Sequence, residues 1–281
     1  MALKALDVYK LLPKKNCKEC GDPTCLTFAM KLASGKADVD LCPYLDEQAK
    51  SVLGATTRPP IQLVNVGVGE RSFAVGEESV LFRHDKTFNH PPGILFRVSD
   101  TWAHEEITAV TVRVRDESFT RIGTDLRFNG IAIENTSGLP EVYARAVASV
   151  EESADLPLAL IARNIEAFNA ALIQVGSYQP LLHAATNENF RQMCALAKKH
   201  SCPLVIKAHG LDNLTALVRN CAGEGVKKLI MDLCPQYPGD FIITSTAVRQ
   251  LAITRAVPDL GYPVFMDATQ PPFQDAGLAL G

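Results

Sequence analysis

From Gly93 to Ala268 the chain repeats one rhythm seven times: "GILFRVSD" (93–100), "GIAIEN" (130–135), "LPLALIA" (156–162), "QPLLHAA" (179–185), "CPLVIKA" (202–208), "KKLIMDL" (227–233) and "YPVFMDA" (262–268). Each run is short, almost continuously apolar and rich in branched side chains, as strands buried on both faces must be. The spacers carry helical patterns such as "NENFRQMCALAKKH" and "LDNLTALVRNCAGEG". Buried strands alternating with helices predict a parallel sheet in the α/β class. The repeat fits a TIM-type (β/α)8 barrel better than a doubly wound sheet, because no glycine-rich first turn marks a nucleotide crevice. "GVGERS" (67–72) imitates such a turn but has Ser72 where the third glycine belongs, and reads as an ordinary turn. The eighth strand is missing, and the chain closes on "DAGLALG", so the expected barrel is incomplete at its C-terminal end and the sequence reads as the front part of a longer protein.

The residues before Gly93 follow different rules. "ALKALDVYKLL" (2–12) places apolar side chains near one helical face and Pro13 stops it. A second helix is expected from about Thr24, carrying Leu26, Ala29, Met30 and Ala33 inward and closed by Gly35. The expected organisation is therefore a small helical domain over residues 1–57, a linker with short strands over 58–92, and a barrel domain over 93–281. Lys and Arg total 28 against 31 Asp and Glu, without a basic stripe, which speaks against nucleic acid as a partner. No apolar run approaches the roughly 20 residues needed to cross a bilayer. The start has Lys4, Asp7 and no cleavage site, so the expected location is the cytoplasm.

In a reducing compartment, eight cysteines point to metal more than to disulfides. Cys17, Cys20, Cys25 and Cys42 follow C-x2-C-x4-C-x16-C-P. Three thiolates from a tight loop and a fourth from a distant cysteine before proline suit a [4Fe-4S] cluster. Zinc is the competitor, but it more often uses paired C-x2-C knuckles or histidine, and the nearest histidine is His84. Gly21 and Pro23 let the backbone wrap close to sulfur.

The same stretch, "LPKKNCKECGDPTCLTFAMKLASGKADVDLCPYL", resembles the cluster domain of the large (gamma) subunit family of corrinoid iron-sulfur proteins. "VLFRHDKTFNHPPG", "RVSD", "PLLHAAT", "CPLVIKAHGLDNL" and "RQLAI" extend the resemblance over essentially the whole chain. The resemblance implies a methyl-transfer component of the anaerobic acetyl-CoA pathway. A corrinoid cobalt would take a methyl group from methyltetrahydrofolate or a related pterin and deliver it to acetyl-CoA synthase, while the 4Fe-4S cluster returns Co(II) to Co(I). It implies Cys17, Cys20, Cys25 and Cys42 as cluster ligands and, as partners, a small subunit in a heterodimer, a methyltetrahydrofolate methyltransferase, and CO dehydrogenase/acetyl-CoA synthase. Corrinoid binding is expected only with the missing C-terminal domain and the small subunit. No side chain of this chain is assigned as catalytic. The alternatives are a 4Fe-4S electron-transfer module of a redox complex, which has no need of so many βα units, and a pterin-dependent methyltransferase barrel.

That last alternative draws attention to Asp100, Glu134, Asn135, Asp232 and Asp267 at predicted strand ends, where barrel enzymes place their chemistry. The plainer expectation is that they cap helices or pair with Lys and Arg. His84 and His90 are expected to form ordinary hydrogen bonds in a polar loop. Cys202 near His200, and Cys234, invite a nucleophile reading, yet they and Cys194 and Cys221 are expected to be packing cysteines.

Overall fold

The computed structural model describes residues 5–33, 37, 39–46, 49–50, 53, 59–82, 84–255 and 257–269. Their Cα positions divide into two compact units, one drawn from residues 1–62, 77–87 and 248–261, the other from 63–76, 88–247 and 262–281.

In the first unit, α1 spans Ala5–Leu11 and α2 spans Cys25–Ala33, followed by a 3-10 turn at Val39–Leu41. Pro13 disfavours helical geometry at the residue before it, which ends α1. Thr24 caps α2, its Oγ1 accepting the Thr27 N–H at 3.1 Å. Cys25, Phe28, Ala29 and Leu32 form the buried stripe of α2, while Leu26 and Met30 are exposed. Of the expected inward set, Ala29 is buried and Ala33 packs partly buried against the core, while Leu26 and Met30 face outward. The helix is rotated so that Cys25 faces the core, and the i, i+3, i+4, i+7 series counted from Cys25 fixes the rest. Gly35 lies outside the described residues. Val8, Leu12, Phe28, Leu32, Val39 and Leu45 pack with Cys25 and Cys42 in this unit's core.

In the second unit, β1 (Val64–Val68) and β2 (Arg71–Val75) form an antiparallel hairpin. Val68 pairs with Arg71, so Gly69 and Glu70 make the turn, in the stretch that imitates a dinucleotide motif. Gly67 has φ +89°, and a Cβ there would lie 1.9 Å from the Arg71 carbonyl oxygen, so only glycine fits. The main sheet follows: β3 (Leu95–Ser99), α3 (His104–Asp116), a small exposed hairpin of β4 (Ser118–Arg121) and β5 (Thr124–Arg127), β6 (Gly130–Glu134), α4 (Pro140–Ser153), β7 (Leu158–Ile161), α5 (Ile165–Val175), β8 (Leu181–Ala185), α6 (Phe190–His200), β9 (Leu204–Lys207), α7 (Leu211–Gly223), β10 (Leu229–Asp232), α8 (Pro238–Thr254) and β11 (Val264–Phe265). Seven of these strands pair in the order β11-β10-β9-β8-β7-β6-β3, every pair parallel. Each of the seven apolar runs became one strand of this sheet.

The sheet is curled. Arg97 on edge strand β3 reaches Asp267, just beyond edge strand β11, with Nη1 to Oδ2 at 3.0 Å. The second unit is an incomplete TIM-type barrel, and the first is a small helical unit. Its inner face packs Ala132, Ala159, Leu181, Val205 and Ile230 against Val64 and Val66 of the first hairpin, inside the stretch read as a linker. Ala132 and Ala159 are small, and the hairpin valines fill the space they leave. Fully buried Tyr143 on α4 ties two neighbouring strands together: its hydroxyl donates to the Ile133 carbonyl at 2.9 Å and accepts the Ile161 N–H at 3.0 Å. No helix among the described residues is long and apolar enough to cross a membrane.

Candidate metal centre

The four cysteines of the motif all fall in the helical unit. Cys25 and Cys42 are 6% and 4% exposed, Cys17 and Cys20 are half-buried, and Cys20 packs against the same core. The loop that presents Cys17 and Cys20 has an unusual backbone: Lys14 (φ +55°), Asn16 (φ +47°), Lys18 (φ +67°) and Gly21 (φ +83°) are left-handed. Its geometry is held by Gly21 N–H donating to the Lys18 carbonyl at 3.0 Å.

Asn16 connects this loop to α2. Its side-chain Oδ1 accepts the Cys25 N–H at 2.7 Å, and its own N–H donates to Cys25 Sγ at 3.4 Å. Cys42 leaves the 3-10 turn with its N–H on the Val39 carbonyl at 3.2 Å, and Pro43 follows. Two residues on, the Tyr44 hydroxyl donates to Glu19 Oε1 at 2.8 Å, which ties the Cys42 arm to the loop between Cys17 and Cys20. Acceptance by the Glu19 carboxylate, reinforced by its charge and by the thiols of Cys17 and Cys42, holds the Tyr44 pKa above its ordinary value. Asp22, buried beside the loop, pairs with Lys31. Spacing alone did not reveal the parts played by Asn16, Glu19 and Tyr44. The one available signal was an asparagine directly ahead of Cys17, since asparagine tolerates the left-handed region better than most residues.

The donor set is all thiol, half of it nearly buried, with a backbone N–H aimed at sulfur; these features suit an iron-sulfur cluster in a water-poor setting. Among the described residues no three His, Cys, Asp or Glu side chains are gathered closely enough to hold a metal ion. The fit therefore rests on donor chemistry, burial and the loop backbone.

The strand-end groups of the barrel are engaged with one another. Arg97 pairs with Glu134 and Asp267. Asp100 is buried and accepts the Thr136 and Ser137 N–H groups, both at 2.9 Å, and the Asn135 amide at 2.8 Å. Asp232 accepts from His183 Nε2 at 3.1 Å and from the Cys234 N–H at 2.9 Å, with Lys207 Nζ 3.5 Å away. Burial alone would raise the Asp232 pKa, but the His183 hydrogen bond, Lys207, the Cys234 N–H and the His183 charge together outweigh it and hold the carboxyl below its usual range. His183 is a functional-looking residue that the sequence reading passed over, because one histidine in an apolar run carries no spacing signal.

The remaining cysteines behave as packing groups. Burial pushes the Cys202 thiol up to about 12 and Cys234 up to about 11, which leaves little thiolate for nucleophilic attack near neutral pH. Cys194 and Cys221 are fully buried. His84 stacks on Phe82 with ring centroids 5.4 Å apart and lies 3.5 Å from Asp85.

Comparison with known proteins adds an independent line. The family model described as CO dehydrogenase/acetyl-CoA synthase delta subunit matches residues 63–274, and a family model for an Fe-S cluster matches residues 12–44, which include all four motif cysteines. The corrinoid/iron-sulfur protein large subunit of Moorella thermoacetica is 41% identical over 264 residues, covering 94% of this chain and 59% of that protein. The acetyl-CoA decarbonylase/synthase complex subunit gamma of Methanopyrus kandleri is 35% identical over 268 residues, covering 94% and 58%. The subunit gamma of Methanocaldococcus jannaschii is 30% identical over 270 residues, covering 93% and 55%. The chain thus spans somewhat more than half the length of these relatives.

Proposed function

Because the chain belongs to the CO dehydrogenase/acetyl-CoA synthase delta-subunit family, we propose that it serves the acetyl-CoA pathway as part of the large subunit of a corrinoid iron-sulfur methyl carrier. The observation that carries this reading is the pairing, on one chain, of an all-cysteine iron-sulfur motif with a barrel whose relatives are named for corrinoid, iron and sulfur. In this reading Cys17, Cys20, Cys25 and Cys42 hold a [4Fe-4S] cluster. When bound, the cluster supplies single electrons at low potential, which return oxidised cobalt to the nucleophilic Co(I) state. The chain's own residues do the positioning. Asn16 fixes Cys25 at the start of α2 and places an N–H on its sulfur. Burial of Cys25 and Cys42 keeps water away, and the Tyr44–Glu19 bond holds the Cys42 arm against the loop.

The corrinoid belongs with the further length of the relatives and with a small partner subunit. The methyl donor is a methyltetrahydrofolate or methyl-tetrahydropterin methyltransferase system, and the acceptor is acetyl-CoA synthase. The barrel of this chain acts as scaffold and docking surface. Its strand-end carboxylates are committed to Arg97, to the Asn135–Ser137 turn, and to His183 and Lys207, whereas a pterin site would need such groups to face its ligand.

The test is to add the anaerobically prepared, iron-loaded chain to Co(II) corrinoid held by a small subunit together with the C-terminal part of a relative, and to follow the Co(II) EPR signal under reducing conditions. The signal should decay with the wild-type chain and persist with Cys25→Ala. Tight binding of methyltetrahydrofolate to the chain alone, with no effect on cobalt, would overturn this reading in favour of a methyltransferase barrel.

A further inference from the structure

All eight strand residues of the β4–β5 hairpin are exposed, yet the hairpin is not wholly polar. Phe119 pairs with Leu126 across it, so the two share one face. They are 61% and 36% exposed, and Ile122 at the tip is 95% exposed. A two-stranded hairpin alone is marginally stable in water, and further strands or a covered apolar face steady it. Its base is fixed: Phe128 meets Phe96 of β3 edge to face with ring centroids 5.5 Å apart, and Asn129 Oδ1 accepts the Ile94 N–H at 2.8 Å. Beyond that base, the apolar face and both strand edges have no cover among the described residues.

The register decides which edge is of use. Arg121 pairs with Thr124 around Ile122 (φ +51°) and Gly123 (φ +73°), a two-residue turn of type I′. The pair flanking such a turn is hydrogen-bonded, and the pairs then alternate. Phe119 and Leu126 are therefore bonded within the hairpin, and the N–H and C=O groups of Asp125 and Arg127 point outward from β5. Antiparallel pairing of two β5 strands about Leu126 sets Asp125 of each copy against Arg127 of the other. These residues then exchange main-chain hydrogen bonds, and their opposite charges meet on one side of the sheet. On the other side Leu126 meets Leu126, between the two Phe119 rings. Centring the pairing one residue earlier or later would oppose Asp125 to Asp125 or Arg127 to Arg127, so charge selects the register about Leu126. Asp125 accepts the Thr120 hydroxyl at 2.5 Å, and among the described residues neither it nor Arg127 forms an ion pair. The β4 edge lacks this complementarity: pairing about Phe119 would set Ser118 against Thr120, and Glu117 is already held by Arg113 at 3.3 Å.

We propose that β5 pairs with β5 of a second copy of this chain across a two-fold axis, joining two hairpins into a four-stranded antiparallel sheet. A self-complementary edge is what an isologous contact requires. The charges also restrain the indiscriminate pairing to which bare edge strands are prone. The contact is small and belongs to the weak, transient class, with a Kd on the order of 10 to 100 μM. It involves the second unit alone and is independent of what the cysteines bind.

Sedimentation equilibrium of the anaerobically prepared chain, from about 5 to 300 μM, reads the association directly. Wild type should pass from monomer to dimer over this range. Asp125→Arg sets cation against cation at both ends of the contact, and Arg127→Asp sets carboxylate against carboxylate. Each should weaken association about tenfold or more. An equimolar mixture of the two single variants should associate again, because one copy then presents only cations and the other only carboxylates. Leu126→Gln should weaken association in every combination. All three positions are exposed, so the thermal midpoint of each variant should match wild type. A chain that stays monomeric throughout, or associates only when a small subunit is added, would overturn the proposal. So would a dimer indifferent to both charge reversals, or single variants that fail to associate when mixed.

Discussion

Asp232 stays ionised in a buried setting because two donors, His183 and the Cys234 N–H, and one further cation, Lys207, converge on it, and that arrangement carries a pH signature. Its pKa is held below the ordinary carboxylate value. Proton linkage then makes its contribution to stability fully present above its unfolded-state pKa, near 4, and lost as pH falls through the lower folded value. Asp232→Asn should lower the unfolding free energy by about 2 kcal/mol at pH 7, the cost of weakening a buried, charge-assisted hydrogen-bond set. The difference from wild type should shrink below pH 4. Denaturant unfolding across pH 3 to 8 checks both; a gap that widens on acidification would reject the assignment. Asp232 itself was legible as a strand-end carboxylate, but its partner His183 was not, because the pairing joins two strands 49 positions apart. At the cysteine motif the same division holds. Spacing marked Cys17, Cys20, Cys25 and Cys42 as a candidate ligand set, whereas Asn16 and Tyr44 act through backbone conformation and a contact between distant loop arms, which leave no periodic trace.

Elements show where the pattern speaks and where it is silent. The seven sheet strands were readable because both faces of each are covered, so hydrophobicity runs unbroken. The β4–β5 hairpin was not, because all eight of its strand residues are exposed and no burial imposes an alternation on them. In α2 the apolar residues Leu26 and Met30 misled the assignment of the inward face, since the burial of Cys25 rather than overall hydrophobicity sets the helix rotation. The first hairpin offers a sharp test at this scale. Gly67 meets the Arg71 carbonyl where a Cβ would stand and has a left-handed φ. Gly67→Ala should therefore destabilise the second unit by on the order of 2 kcal/mol or more. The change should appear as a lower thermal midpoint of that unit with its parallel sheet intact. An unchanged midpoint would mean that the hairpin contributes little to the packing of the barrel interior.

On the scale of the whole molecule, two units with different physics share one chain. The second is held by apolar burial inside a curled parallel sheet, whose edge strands are bridged by Arg97 and Asp267. The first is small, and it keeps two cysteines in its core among ordinary hydrophobic side chains. Units of this size often draw stability from a bound metal, and Cys25 and Cys42 would then serve folding and electron transfer at once. Iron and EPR analysis of the anaerobically purified chain, set beside its Cys25→Ala variant, bears most directly on this account. Wild type should be brown, carry about four irons per chain and give a reduced-cluster EPR signal, and the variant should lose both iron and signal. A colourless wild type with free thiols, or one zinc per chain in place of iron, would contradict it.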